Sequence, residues 1–180
     1  MRKHLWLGIA LSAALSVLLP AAEASAQWVT VAPPESGFSA ELPAPAEFKR
    51  PAAKPKVDTR IWIGNNGKLL GLTGVTDYDA HIDAERKLDL DVKNFLTSDG
   101  GTLKSQKRLT FSKAPDGLRP AVDFTFTDAA GPGESLVVVS GDRSYQVVVR
   151  AENGYDGRVD MARVIKSFRI TQPSRHWQGG

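Results

Sequence analysis

The feature that most constrains the fold is a pair of valine-rich segments joined by a short polar turn, LVVVSGDRSYQVVV, at residues 136–149. A two-residue turn at Gly141 and Asp142 predicts an antiparallel hairpin in which Ser140 pairs with Arg143. Both arms carry apolar residues at consecutive positions, so both faces of the hairpin are apolar. Such strands are typical of a sheet that helices cover on both sides. The hairpin therefore predicts an interior position in a sheet.

The two faces of this hairpin differ in how apolar they are. The predicted register collects one apolar face from Leu136, Val138, Tyr145, Val147 and Val149. The weaker face collects Val137, Val139 and Val148 beside Ser144, Gln146 and Arg150. We therefore expect the primary core on the first face and a second packed layer on the other.

Two segments have the helical periodicity needed to supply these layers. The first lies in HIDAERKLDLDVKNFLTSDGG, where Asp83 is placed to cap the helix and Gly100 or Gly101 to end it. The second lies in DGRVDMARVIKSF, with Asp156 as its predicted cap. The sequence therefore predicts an α+β fold. Its expected form is a three-layer α/β/α sandwich with two main helices and a central antiparallel sheet of about six or seven strands.

The remaining strands follow from alternation and turn chemistry. The predicted segments are FSAEL, VDTRIWI, KLLGLTGVTDY, LKSQKRLTF, RPAVDFTFTD and a final FRIT. The GNNG stretch joins the second and third of them as a hairpin. Four prolines interrupt residues 43–56, so this segment is expected to run over the surface as an extended connection without continuous pairing.

The amino-terminal residues have the pattern of an export signal. A basic start, MRKH, precedes the apolar run LWLGIALSAALSVLLP and the small-residue site ASA that ends at Ala26. We therefore expect a cleaved signal peptide at residues 1–26, a single domain at 27–171 and a flexible tail at 172–180. The expected location is periplasmic or secreted, with no stable membrane insertion after cleavage.

Composition excludes several function classes. The absence of cysteine excludes disulfides, thiol catalysis and zinc-thiolate sites. After removal of residues 1–26, Lys and Arg number 21 and Asp and Glu 19, a net charge of +2 that does not favour nucleic acid. A basic cluster in the proline-rich segment consists of Lys49, Arg50, Lys54, Lys56 and Arg60. This cluster has two possible interpretations, a solvated extended loop or a surface that binds an anionic partner.

The order of these elements resembles the PsbP-like and Mog-like superfamily, including its small exported bacterial domains without assigned function. The resemblance spans roughly residues 28–171 and is carried by Gly37-Phe38, Pro43, Pro45, Tyr145 and Ser167-Phe168. It implies an α/β/α sandwich with an antiparallel sheet. It also implies non-enzymatic work, because characterised members bind and stabilise protein partners, in photosystem II or with a small GTPase. Neither of those partners is indicated by this sequence.

No catalytic or phosphate-binding motif is present in the sequence. Beyond Ala26 the histidines are His81 and His176, and GESLV fails the Gly-x-Ser-x-Gly pattern at its last position. Neither Gly-x-Gly-x-x-Gly nor Gly-x-x-x-x-Gly-Lys-Ser/Thr occurs. We therefore expect no enzyme activity and no cofactor.

One stretch, DYDAHID, has the composition of a metal site. Asp77, Asp79, His81 and Asp83 alternate, so in an extended strand their side chains would share one face and offer ligands to Mn²⁺, Ca²⁺ or Zn²⁺. A second interpretation is structural, with Asp83 as a helix cap and the other carboxylates in a strand-to-helix loop. The spacing does not match a calcium-binding loop.

Trp62 is the candidate partner-binding residue. It alternates with Ile61 and Ile63, so either the tryptophan or the isoleucines face away from the primary core. This arrangement predicts a second packed layer or an aromatic group for a protein partner. The first functional hypothesis is an exported, non-catalytic domain that binds an unknown protein in envelope assembly or maintenance. The alternative is a periplasmic protein that binds a small ligand or a divalent metal. The oligomeric state stays open.

Overall fold

The computed structural model of the chain describes residues 27–52, 54–80 and 82–173. The predicted signal peptide and the last residues of the predicted tail, 174–180, lie outside them. The strands are β1 (Trp28–Val31), β2 (Phe38–Pro43), β3 (Ala46–Lys49), β4 (Val57–Asn65), β5 (Leu69–Tyr78), β6 (Thr102–Phe111), β7 (Arg119–Thr127), β8 (Pro132–Ser140), β9 (Arg143–Ala151) and β10 (Arg169–Ile170). The helices are α1 (Ala84–Asp99) and α2 (Arg158–Ser167), with a short 3₁₀ turn at Pro34–Ser36. The fold is α+β, as predicted.

The large sheet is antiparallel and has seven strands in the order β3-β4-β5-β9-β8-β7-β6. The predicted hairpin is β8 and β9, and its register is confirmed, with Ser140 opposite Arg143 and Val138 opposite Tyr145. Gly141 takes the positive φ of 64° that the tight turn needs. Both hairpin strands lie in the interior of the sheet, which explains their apolar residues on consecutive positions.

Two groups of buried residues lie on opposite faces of this sheet. The first contains Leu136 and Val138 together with Met161 and Val164 of α2. The second contains Val137 and Val139 of the same strand β8, together with Leu88, Val92, Val122, Phe124 and Phe126. Because successive strand residues point to opposite faces, the two helices pack against opposite faces of the sheet.

A second, three-stranded sheet of β1, β2 and β10 was not predicted. It lies on the α2 side, where Phe38, Ala40 and Leu42 of β2 join the first buried group. The end of β2 lies directly on the large sheet, since a Cβ added to Gly64 would come 2.1 Å from the Pro43 carbonyl oxygen. A glycine at that strand position therefore permits the close approach of another backbone.

The expectation for residues 43–56 was wrong in part. Residues Ala46–Lys49 form β3, which pairs with β4 from Ala46 opposite Gly64 to Lys49 opposite Ile61. Pro45 and Pro51 lie just outside this strand, and an edge strand has a hydrogen-bonding partner on one side only. The prolines therefore limit the length of β3 without preventing it.

The two helix caps differ from each other. Asp83 caps α1 as predicted, because its carboxylate accepts a hydrogen bond from the Arg86 backbone N–H at 3.1 Å. The predicted cap at Asp156 was wrong: Gly157 occupies the cap position of α2 without a side-chain bond. The Asp156 carboxylate instead accepts from the Arg158 guanidinium at 2.8 Å. Neither helix of the described residues combines the length and the hydropathy needed to cross a membrane.

Candidate functional site

An aromatic pair at the β3 edge of the large sheet is the most exposed apolar feature of this region. Phe48 of β3 lies directly opposite Trp62 of β4, with ring centroids 4.9 Å apart at an angle of 42°. The inner edge of Trp62 meets Phe38 at 5.2 Å and 74°. Phe38 is buried, whereas Phe48 is 52% exposed. A row of three aromatic rings therefore runs from the core to the surface, and its outermost ring contacts solvent.

The backbone of β3 has hydrogen-bonding groups that face away from the sheet. The Asn65 N–H donates to the Pro45 carbonyl oxygen at 3.3 Å, and hydrogen-bonded pairs then alternate along an antiparallel ladder. Glu47 and Lys49 therefore bond to β4, whereas the N–H and C=O groups of Ala46 and Phe48 point outward. Among the described strands, none pairs with this outer edge of β3. The edge offers backbone donors and acceptors next to an exposed aromatic ring.

Charged side chains surround this edge, with an excess of positive charge. Residues 45–58 contain four cations and two carboxylates, a net charge of +2. Arg50 pairs with both oxygens of Asp58 at 2.8 Å. Lys49 and Glu47 lie on the opposite face of β3 from Phe48, 3.9 Å apart and mostly exposed. These groups form a polar rim beside the aromatic pair.

The structure gives Trp62 a mixed environment. It is half-buried and packs against the first buried group of residues, so the isoleucines on either side of it face the other side of the sheet. The exposed ring of the pair is Phe48, which sequence reasoning missed. The available signal was the alternation of Ala46, Glu47, Phe48 and Lys49 between two prolines. Partner binding by Trp62 stays a prediction. Of the two stacked rings, that of Phe48 is the more accessible to a partner.

The predicted metal ligands have separate surroundings in the described residues. Asp77 faces two arginines, Asp83 caps α1, and Asp79 is exposed. His81 lies outside the described residues. Within the described ranges, no group of three or more carboxylate or histidine side chains is placed to hold a metal ion. The metal site stays a prediction that none of these contacts supports.

The two arginines beside Asp77 belong to a buried polar cluster. Arg60 pairs with Asp77 and donates to the Glu35 carbonyl oxygen at 3.0 Å. The Arg143 Nε lies 2.6 Å from the Asp77 Oδ1 atom, and Arg143 is only 1% exposed. Burial raises the pKa of the neighbouring Tyr145 hydroxyl, so that group stays protonated. The cluster ties the Pro34–Ser36 turn to β4, β5 and β9.

A shallow groove lies on the other face of the same sheet edge. Helix α1 packs mainly against β7 and β8. Ile63 of β4 and Leu70 of β5, which line the groove, are half-buried. The groove has a volume of about 580 Å³, and its lining consists of Pro45, Glu47, Lys49, Ile63, Asn65, Gly67 and Leu70. The lining combines apolar side chains with the charged Glu47 and Lys49 and the polar Asn65. The β3 edge therefore has an exposed aromatic ring on one face and an open groove on the other.

Comparison with known proteins gives a match in structure. No protein-family model matches the chain, and no curated protein sequence matches it significantly. The solution structure of cyanobacterial PsbP from Synechocystis matches 83% of this chain and 95% of its own length, with a TM-score of 0.54 and 12% sequence identity. The chain has a PsbP-like fold. At this identity the match shows the fold alone.

A second solved structure, from Bacteroides thetaiotaomicron, is less similar. It matches 79% of this chain and 48% of its own length, with 9% identity and a TM-score of 0.38, which is too low to carry an argument. Within the PsbP-like fold, the aromatic residues that carried the predicted resemblance are buried. Phe38, Tyr145 and Phe168 contact one another with ring centroids 5.9 to 6.4 Å apart. These three rings belong to the first buried group of residues.

Proposed function

We propose that this chain is an exported, non-catalytic domain that binds another protein through the outer edge of β3, in the assembly or maintenance of the cell envelope. The observation that carries the proposal is Phe48, an exposed aromatic ring stacked on Trp62 at an open strand edge. Aromatic residues next to charged rims are enriched in protein interfaces. Free backbone groups on an edge strand allow a partner strand to pair with it.

Three further features support this proposal. The signal-peptide pattern at residues 1–26 supports a periplasmic or secreted location. The chain has a PsbP-like fold, and the two groups of buried residues on opposite faces of the large sheet support a three-layer α/β/α domain. The arginines around Asp77 hold the Pro34–Ser36 turn to the sheet, which supports a structural role for this cluster.

Site-specific cross-linking tests the proposal. A photo-reactive phenylalanine analogue replaces Phe48 in the full chain, and the same analogue replaces Leu118 as the matched control. Leu118 is also an exposed apolar residue, at 67%, but it lies in the loop between β6 and β7. We expect position 48 to form reproducible cross-links to a discrete protein partner in the cell and position 118 to form none.

Two outcomes count against the proposal. Cross-linking at position 48 no stronger than at position 118 would contradict it. A small molecule retained by the purified protein and detected by native mass spectrometry, without cross-links at position 48, would favour the second candidate function. That candidate is the binding of a small ligand, and the observation in its favour is the open groove of about 580 Å³ with apolar and polar lining residues.

A further inference from the structure

We propose that the partner recognised by the β3 edge includes a second copy of this chain, joined by antiparallel pairing of β3 with β3. This inference rests on the proposed function, because it uses the same edge, and it names the partner. A strand edge can accept many extended segments. Two properties of β3, its hydrogen-bond alternation and its charge order, fit a copy of itself.

The hydrogen-bond alternation selects the register. The outward N–H and C=O groups within β3 belong to Ala46 and Phe48. Continuation of the same alternation beyond Lys49 would make Arg50 the next outward residue. Pairing centred on Phe48 places Phe48 opposite its own copy and Ala46 opposite Arg50 of the second copy. In this register the outward N–H and C=O groups of one copy face the outward C=O and N–H groups of the other copy at each of these pairs. Pro45 falls at an inward position, and Pro51 would do so if the alternation continued, so a missing N–H at either would cost the new ladder nothing.

The charge order favours the same register. Pairing centred on Phe48 places Glu47 of each copy directly opposite Lys49 of the other copy. Both side chains are accessible for this contact, with exposed fractions of 71% for Glu47 and 59% for Lys49. Opposite charges directly across an antiparallel pair stabilise it, and like charges destabilise it. The two-fold symmetry makes each favourable contact twice.

The aromatic rings also meet in this register. Phe48 and Trp62 lie on one face of the sheet, and directly opposed residues of paired strands share a face. The two copies of Phe48 would therefore lie side by side, with a Trp62 beyond each of them. Hydrogen-bonded opposite residues have Cα atoms about 5.5 Å apart, within reach of ring contact. The exposed Phe48 surface would become covered.

The other edge of the large sheet is less suited to self-pairing. Strand β6 is longer than β3 and exposed along most of its length. It carries Lys104, Lys107 and Arg108 and no carboxylate, so its pairing with a copy of itself would bring cations together. Of these cations, Arg108 also pairs with Glu85 and Asp89 of α1. Its register also shifts between Leu103 and Ser105, which interrupts the regular edge. The charge distribution therefore favours β3.

Sedimentation velocity over a concentration series tests the inference. The purified wild-type protein is expected to show reversible dimerisation in the micromolar to millimolar range, because an edge of this length forms a small interface. Glu47→Lys and Lys49→Glu each place like charges opposite each other, so each is expected to raise the dissociation constant about tenfold. The double variant Glu47→Lys/Lys49→Glu restores opposite charges and is expected to return within about threefold of the wild type.

The controls separate association from folding and from the proposed function. Thermal unfolding of all four proteins is expected to coincide, because both side chains are exposed. A wild type that stays monomeric, or a double variant no better than the single ones, would overturn the inference. If the protein stays monomeric while position 48 cross-links to a different protein, the proposed function stands without it. If the protein neither dimerises nor cross-links at position 48, both the self-pairing inference and the proposed protein-binding function are rejected.

Discussion

At the scale of single residues, Gly37 shows how the fold depends on a close contact. It has a φ of +66°, and a Cβ added there would come 2.8 Å from the Arg143 Nη1 atom and 3.3 Å from the Tyr145 hydroxyl. Gly37 directly precedes Phe38, whose ring is buried. Because Gly37 has no side chain, the start of β2 can lie close to Arg143, which pairs with Asp77. The glycine in the resemblance motif thus has a packing role.

Substitution of Gly37 tests this role against a matched glycine. Gly100 ends α1 with nearly the same φ, +65°, but has open space where a Cβ would lie. Gly100→Ala is expected to lose only the cost of the left-handed conformation, about 1 kcal/mol. Gly37→Ala adds the steric conflict and is expected to lose about 3 kcal/mol of unfolding free energy, as measured by urea denaturation. Equal losses in the two variants would show that the Arg143 contact is unimportant.

At the scale of elements, the two helices are anchored differently. The carboxylate of Asp83 accepts from the backbone at the start of α1, whereas α2 begins at Gly157 without a side-chain cap. Helix α2 depends on the burial of Met161 and Val164 against the sheet. The sequence has an aspartate shortly before each helix. The backbone geometry at the start of the helix decides whether that aspartate caps it.

Alanine substitutions of the two aspartates distinguish these cases. Asp83→Ala leaves a backbone N–H of α1 without its acceptor and is expected to lower the free energy of unfolding by about 1 kcal/mol. Asp156→Ala removes an exposed pair with the Arg158 guanidinium and an interaction with the Arg158 backbone N–H, so a clearly smaller loss than at Asp83 is expected. Chemical denaturation of both variants checks the difference. A loss at Asp156 that matches the loss at Asp83 would contradict the assignment of the caps.

At the scale of the whole molecule, the sequence predicted what local rules decide. The Gly141 turn predicted the β8–β9 register, and the valines on consecutive positions predicted packing on both faces. The separate three-stranded sheet was missed because alternation identifies a strand without identifying its partner. The available signal for the three-stranded sheet was a glycine within each of β4 and β5, Gly64 and Gly71. Both lie so close to Pro43 of β2 that a Cβ would collide with it.

The candidate site was only partly predictable for a related reason. Trp62 was identified as an aromatic candidate, but its exposure depended on whether another strand lay beside it. The prolines around residues 46–49 argued against pairing there, so β3 and the exposed Phe48 were missed together. Exposure depends on distant parts of the chain, and residue-by-residue patterns do not contain it.

The central claim is that β3 presents an unpaired outer edge for a protein strand. Amide hydrogen exchange of ¹⁵N-labelled protein, followed by NMR at low and high protein concentration, measures this edge directly. In dilute protein we expect fast exchange at Ala46 and Phe48 and slow exchange at Glu47 and Lys49, which bond to β4. At high concentration the amides of Ala46 and Phe48 are expected to become protected. Slow exchange of the Ala46 and Phe48 amides in dilute protein would contradict the claim. So would unchanged exchange of these amides both at high protein concentration and in the presence of a cross-linked partner.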